Sequence, residues 1–530
     1  MMTNTSNYTS QRRVVAAIVA AQLTFVPALT FAQQTPPVPQ SATAPQGPVL
    51  PLSMKQAEQM ALEANLGIKA DRLGPDIASE NLAAARSAFI PIVQSGFSRG
   101  AITRATTSAF EGASSSLTTK SLNGNAQVSQ LLPWYGSFYS VRYSAGRSES
   151  TEQFSRLNPS LTSSLSISFT QPLLEGFKTD SARNAVRINE RNRAIADIQL
   201  EQQMVVMRYR VQNQYLSLIS AIEGLKVAQQ NLELARESLR NNKSRVEVGT
   251  MAPIGIIEAE AEVASNEEGV ILGEASVATA EDALRALIFD PSRPDYWQMR
   301  LQPTDTVQVQ AIEINVDAAI ANALANRSDL IIAKRQIENA DLGIKLLENQ
   351  VKPSVDLQAN YSASGNGGTQ NSYTNDFPPV LQSSVERGLM PTLGDVFRNT
   401  NPTWSVGVNA IYPIGKSGSE AQLARTRLEK QRTEIQLRDA ELQIATDVRD
   451  AARQVSTGVK RVQVTQLARE SAEKQLAAEQ RKFDLSLSTT FQLQQRQRDL
   501  ANARTRELQA IIAYSRALII FEAIQKAPVR

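Results

Sequence analysis

The two side chains that carry most protein chemistry near neutral pH are missing: the chain has no His and no Cys. Imidazole and thiolate metal sites, Ser-His-Asp and Cys-His catalysis and disulfide frameworks are therefore excluded. A lipid anchor on an N-terminal Cys is excluded as well. Carboxylates and hydroxyls abound but recur at no telling spacing, so neither enzyme activity nor a metal or cofactor is expected. Lys+Arg 55 against Asp+Glu 52 is close to balance, which leaves no basic face for nucleic acid. What remains is the chemistry of wetting, in stretches where small polar residues alternate with apolar ones.

Leu122, Gly124, Ala126 and Val128 interleave with Asn123, Asn125, Gln127 and Ser129. Tyr139, Val141, Tyr143 and Ala145 interleave with Ser140, Arg142 and Ser144. Leu165, Ile167 and Phe169 alternate with Ser164, Ser166, Ser168 and Thr170, and Trp404, Val406, Val408, Ala410 and Tyr412 with Ser405, Gly407 and Asn409. Residues 355–361 make a similar stretch and 92–100 a weaker one. One apolar face and one face of Ser, Asn, Gln and Gly suit a barrel with lipid outside and water inside, although a half-buried soluble sheet alternates in the same way. Trp134, Tyr135, Phe138, Tyr139, Phe169, Trp404 and Tyr412 cluster near strand ends, where aromatic rings favour the headgroup level. The polar connections 101–120, 148–159 and 365–402 suit outward-facing loops.

The elements that position these strands are written twice. Residues 61–93 align with 323–355 at a constant offset, placing Leu62 on Leu324, Ile68 on Leu330 and Pro91 on Pro353. Each copy reads helix, strands, helix. The period predicts a helix over 53–88, bent at Gly74-Pro75, and an unbroken one over 316–351. Long helical runs cover 178–246 and 420–483, and half-length ones cover 254–289 and 490–525. Alanines such as Ala259, Ala261, Ala501 and Ala503 allow close helix approach along near-heptad seams.

Arg12 and Arg13, the apolar 14–25 and the small residues up to Ala32 read as a signal peptide over 1–32. A disordered lead-in follows at 33–51. The first structural repeat spans 52–300, with strands in about 92–172. A linker covers 301–315, and the second repeat spans 316–527, with strands in about 354–413. No stretch approaches the roughly 20 apolar residues of a spanning helix, so a membrane location requires a closed β-barrel. The helices alone fit a surface-associated coiled-coil structural protein without channel activity equally well.

Several segments resemble the TolC family of outer-membrane efflux proteins: Leu52-Ser53 through Ala61-Leu62-Glu63-Ala64-Asn65, Arg86-Ser87-Ala88-Phe89-Ile90-Pro91, Ser168-Phe169-Thr170-Gln171-Pro172-Leu173-Leu174, and the tip segment from Arg245 to Pro253. The resemblance implies an α+β membrane protein, a trimeric outer-membrane β-barrel continued by a long periplasmic α-helical barrel. Such a homotrimer is the passive exit duct of a tripartite efflux or type I secretion system. It joins an inner-membrane pump through a periplasmic adaptor and sits in outer-membrane lipid, with most of the chain in the periplasm.

Gly249 and Thr250 resemble the family turn on which adaptor hairpins dock. The counterpart at Ser486 and Leu487 lacks the glycine, so the two docking grooves are expected to differ. Aligning Ser486 with the family glycine puts Gln492 and Gln495 where carboxylates often line the tunnel constriction. A polar, weakly charge-selective constriction is expected, with Arg496 and Arg498 adding positive potential. Four strands per subunit imply a twelve-stranded barrel. The hairpin 123–131/138–145 exceeds that number, and either folds over as a loop, the expected outcome, or widens the wall to about 18.

Overall fold

The computed structural model describes residues 48–107, 111, 115–305, 312–376, 379–415, 417–485 and 487–529. The expected signal peptide, most of the expected lead-in and Ser486 lie outside the described residues.

The first copy begins with strand β1 (Val49–Leu52), then helices α1 (Met54–Ala64), α2 (Leu66–Asp71) and α3 (Leu73–Arg86). Ser53 and Gln56 cap α1 reciprocally, satisfying two N-terminal amides. Four strands follow: β2 (Ile92–Ala105), β3 (Ser116–Leu131), β4 (Phe138–Ser150) and β5 (Leu157–Pro172). Then come α4 (Ser181–Glu247), α5 (Ile254–Ile288) and β6 (Arg300–Pro303). The second copy runs α6 (Val316–Asn326), α7 (Ser328–Gln350), β7 (Ser354–Tyr373), β8 (Leu381–Arg387), α8 (Leu389–Phe397), β9 (Asn401–Ile411), α9 (Gly418–Asp484) and α10 (Thr490–Ile524). Among the described residues, no helix is long and apolar enough to cross a membrane.

The paired helices match in length. α4 and α9 each have 67 residues, about 100 Å at 1.5 Å per residue. α5 and α10 each have 35. Equivalent positions are buried alike: Ala61 and Ala323 are fully buried, as are Ile68 and Leu330.

The break in the leading helix is not where the proline suggests. Gly74-Pro75 lies in the first turn of α3, where a missing amide costs little. The chain instead turns extended at Asn65 (φ −61°, ψ 126°) and, in the second copy, at the aligned Arg327 (φ −71°, ψ 125°). The second leading helix is therefore broken too. Asn65 accepts from the Gly67 and Ile68 amides, starting α2 afresh, and its Nδ2 donates to the Leu287 carbonyl at 3.1 Å. At the other break Arg327 donates to the Ile524 carbonyl (3.4 Å) and the Ser328 amide to that of Lys526 (3.0 Å). Each break thus ties the leading helix to the end of a half-length helix.

The cores lie around these ties. One gathers Leu52, Ala57, Ala61 and Ile68 with Val211, Tyr215, Leu284 and Ile288. Its counterpart gathers Ala319, Ala323 and Leu330 with Ile444, Val448 and Ile524. The Tyr215 hydroxyl donates to the Leu52 carbonyl (2.8 Å), and burial pushes its pKa up to about 12. β1 and β6 pair in parallel and bury Leu52 and Leu301. The last residues of the expected lead-in and the first of the expected linker therefore form a small sheet, because their leucines complete this core.

The larger sheet has the order β2-β3-β4-β5-β7, with both β8 and β9 on the far edge of β7. β3 and β4 do not fold over as a loop. They lie between β2 and β5 in unbroken register from Leu131↔Phe138 to Thr119↔Ser150. Since β8 and β9 pair with successive stretches of β7, the sheet of one chain is six strands wide, not four. The hairpin turn uses positive φ at Tyr135 (56°) and Gly136 (65°), closed by the Leu132 amide on the Ser137 carbonyl (2.7 Å). A Cβ at Gly136 would strike the Gly176 carbonyl, so only glycine fits. Strands also extend into segments read as loops. Polar pairs such as Thr103–Thr118 (2.9 Å) continue the ladder where apolar alternation has stopped.

Candidate functional site

The strand register sorts the sheet into two faces. One carries Val128, Val141, Ile167, Tyr361 and Trp404 in one cross-strand row, and Ala126, Tyr143, Leu165, Ala363 and Pro402 in the next. The other carries Gln127, Arg142, Ser166, Ser362 and Thr403. Serines bridge strands there, Ser140 to Ser168 and Ser144 to Ser164, both at 2.7 Å. Paired hydroxyls keep spare lone pairs for water, so this face is wettable along its length. Both edges, β2 and β9, are exposed throughout.

The aromatics read from sequence do not form one ring. Trp134 and Tyr135 occupy the β3–β4 turn, where Tyr135 stacks on Phe177 at 4.8 Å. Tyr139 and Phe169 are register partners, and Tyr412 follows the end of β9. Trp404 stands eight residues earlier on β9, opposite Tyr361, near the other end of that strand.

At the opposite ends of the long helices, each copy makes a hairpin turn. α4 ends in a two-bond cap: the Gly249 amide donates to the Val246 carbonyl (3.0 Å) and the Thr250 amide to that of Arg245 (2.8 Å). Gly249 has φ 76°, the left-handed region where a side chain would be strained. In the second copy the Leu487 amide bonds the Lys482 carbonyl at 2.8 Å, the counterpart of the Thr250 bond. Leu487 thus matches Thr250, and Ser486, at the glycine's position, lies outside the described residues. Val248, Leu485, Leu487 and Phe491 are exposed around the two turns.

Gln492 is folded back into the cap of α10, accepting from Ser488 Oγ at 3.0 Å and the Thr489 amide at 3.5 Å. Gln495 is exposed and donates to Asp499 (2.9 Å). Arg496 pairs with Asp499 at 3.2 Å, and Arg498 reaches across to Glu262 at 3.0 Å. The positive potential read into these arginines is offset by both carboxylates. A Ser488 hydrogen bond, helped by Lys482 and Arg496, lowers the Glu479 pKa and keeps a further negative charge beside the turn.

Arg245 opens the tip segment that resembles the family, but the sequence assigns it no role of its own. Its guanidinium lies 4.1 Å from the Phe483 ring centroid, donates to the Phe483 carbonyl (3.2 Å) and lies 3.7 Å from Asp484. It fastens the tip of one copy to the tip of the other. Nothing local in the sequence marks this, because its partners are more than two hundred residues away.

A sheet with one apolar and one polar face, continued by paired helical hairpins, is the architecture to be compared with known proteins. Solved structures agree on the fold: CusC (14% identity, TM-score 0.65, covering 94% of this chain and 99% of that one), the Campylobacter jejuni CmeC channel (13%, 0.62, 89% and 85%), and the open state of the Neisseria gonorrhoeae MtrE channel (14%, 0.60, 94% and 98%). No curated protein sequence matches the chain. The family model for outer membrane efflux proteins matches residues 136–288 and 319–522, one stretch in each copy, and the chain belongs to that family.

Proposed function

We propose that three copies of this chain close into a passive exit duct in the outer membrane, with the helical hairpins extending into the periplasm. The observation that carries the reading is the sheet, apolar on one face, wettable on the other, with both edge strands exposed. Edge-to-edge closure satisfies the unpaired backbone groups that lipid would leave stranded. Three walls of six strands give eighteen, an even-numbered barrel of the size that leaves an aqueous channel.

Adaptor docking at Gly249, Thr250, Ser486 and Leu487 is supported by the exposed apolar residues around both turns. A pump coupled through that adaptor supplies the energy, since the duct itself does no chemistry. The constriction near Gln495 and Arg496 is weakly charge-selective, because each arginine there faces a carboxylate. Purified protein in planar bilayers tests the duct: stepwise conductance from a heat-sensitive trimer is expected, whereas a freely soluble, non-conducting monomer overturns it. Gln495→Asp should move the reversal potential toward cations, and strong cation selectivity before that change would refute the constriction reading.

A further inference from the structure

The return from β7 is an interrupted strand. β8 and β9 lie end to end along one edge of β7, and residues 388–400 leave the sheet between Arg387, paired with Gly368, and Asn401, paired with Ser364. This excursion carries α8 back onto the apolar face of the sheet. Gly365 and Gly367 form its seat, since a Cβ at either would collide with Thr392. Ser163 Oγ donates to the Thr392 carbonyl at 2.6 Å, and Arg387 holds Asp395, whose side chain is 3% exposed, at 2.7 Å. Phe397 stacks on Tyr143 at 6.2 Å, and the Tyr361 hydroxyl hydrogen-bonds Asn399.

The helix buries two polar residues and turns its largest apolar side chains outward. Thr392 and Asp395 are covered together with Val396, while Met390 is 77% and Phe397 76% exposed, with Leu389 also outward. A helix bathed in water shows the opposite arrangement. Its place on the sheet gives a second, independent indication. The face beneath α8 is apolar up to the row Ala145–Ser163–Gly365 and turns charged with Arg147 in the next row, beside Leu161 and Gly367. Lys120 and Glu149 follow beyond it. Along β7 the apolar stretch from Val355 to Gly365 measures about 33 Å at ~3.3 Å per residue. Tilted by about 40°, it is ~25 Å tall, the height of a barrel's apolar band.

We infer that α8 lies in the outer boundary of the lipid bilayer, its Leu389, Met390 and Phe397 against acyl chains just below the headgroups, and that it sets how deeply the wall sits. The inference rests on the barrel reading. The chain has no Cys, so single Cys substitutions carry spin labels without background. Met390→Cys and Phe397→Cys are compared with Val408→Cys on the apolar face and Ser405→Cys on the polar face. The protein is reconstituted in phosphatidylethanolamine–phosphatidylglycerol vesicles, and collision with oxygen is measured against collision with a water-soluble nickel chelate.

The expected oxygen-to-chelate ratio at Met390 and Phe397 exceeds that at Ser405 and falls below that at Val408. If both α8 labels match Ser405 while Val408 stays lipid-exposed, α8 lies in water and the inference fails while the barrel stands. Should Val408 also match Ser405, the barrel reading fails and the inference with it.

Discussion

The helical and sheet regions treat the internal repeat in opposite ways. The helices keep it: α4 equals α9 and α5 equals α10 in length, and the tip caps share one hydrogen bond in equivalent positions. The sheet abandons it, with four strands in the first copy against β7, the interrupted β8–β9 return and α8 in the second. The difference follows from what each region must match. Helices packed side by side along seams must end together, since an extra turn leaves an unpaired end. A sheet edge accepts any hairpin that continues its ladder and keeps its two faces sorted.

Four experiments strain this contrast. The largest effect is expected within the sheet: Val406→Arg, near the middle of the apolar face, should cost about 2–4 kcal/mol in a lipid-facing barrel. Ser405→Arg, one residue away on the polar face, should be nearly neutral in refolding titrations monitored by heat-sensitive migration. Equal losses would mean that the faces are not sorted into lipid and water. Next, Ala61→Leu and Ala323→Leu should each overpack a sealed seam by about 1–3 kcal/mol and shift the denaturation midpoint alike. Tolerance in one copy alone would show that the helical repeat is not energetically real.

Smaller still, Asn65→Ala removes the cap of α2 and should cost about 1 kcal/mol, read as faster amide exchange across residues 66–71. The second copy, whose break has no side-chain cap, should be untouched by that change. The smallest effect is pH-dependent. Hydrogen bonds from Ser292 and then Lys69 depress the pKa of Asp290, so its contribution is complete above the ordinary carboxylate range, near pH 4. It is lost as pH falls through the depressed value. Exchange near Lys69 should quicken in strong acid, and Asp290→Asn should abolish that dependence. An unchanged acid profile in this variant would place the effect elsewhere.

What could be read from sequence was local and periodic. Leu165, Ile167 and Phe169 alternate whether or not their partners are known, and the four long helical runs emerge within a few residues of their observed ends. The breaks at Asn65 and Arg327 were hidden because their partners, Leu287 and Ile524, lie some two hundred residues away, while Gly74-Pro75 drew the eye. α8 was hidden for a related reason. Residues 365–402 read as a polar connection, and only the seat at Gly365 and Gly367 shows which surface that connection covers. At the tip, Gln495 and Arg496 were visible, but the carboxylate of Glu262 that tempers the neighbouring Arg498 comes from the other copy.

The ties at Asn65 and Arg327 also set a mechanical scale. Both sit where the half-length helices end, roughly 50 Å from the turns at Gly249 and Leu487, reckoned over the 35 residues of α5 or α10. A pivot of about 5° there would carry the far turn some 4–5 Å over that lever arm. At that lever arm a displacement of several ångströms at the turns would ask almost none of the cores beside Asn65 and Arg327.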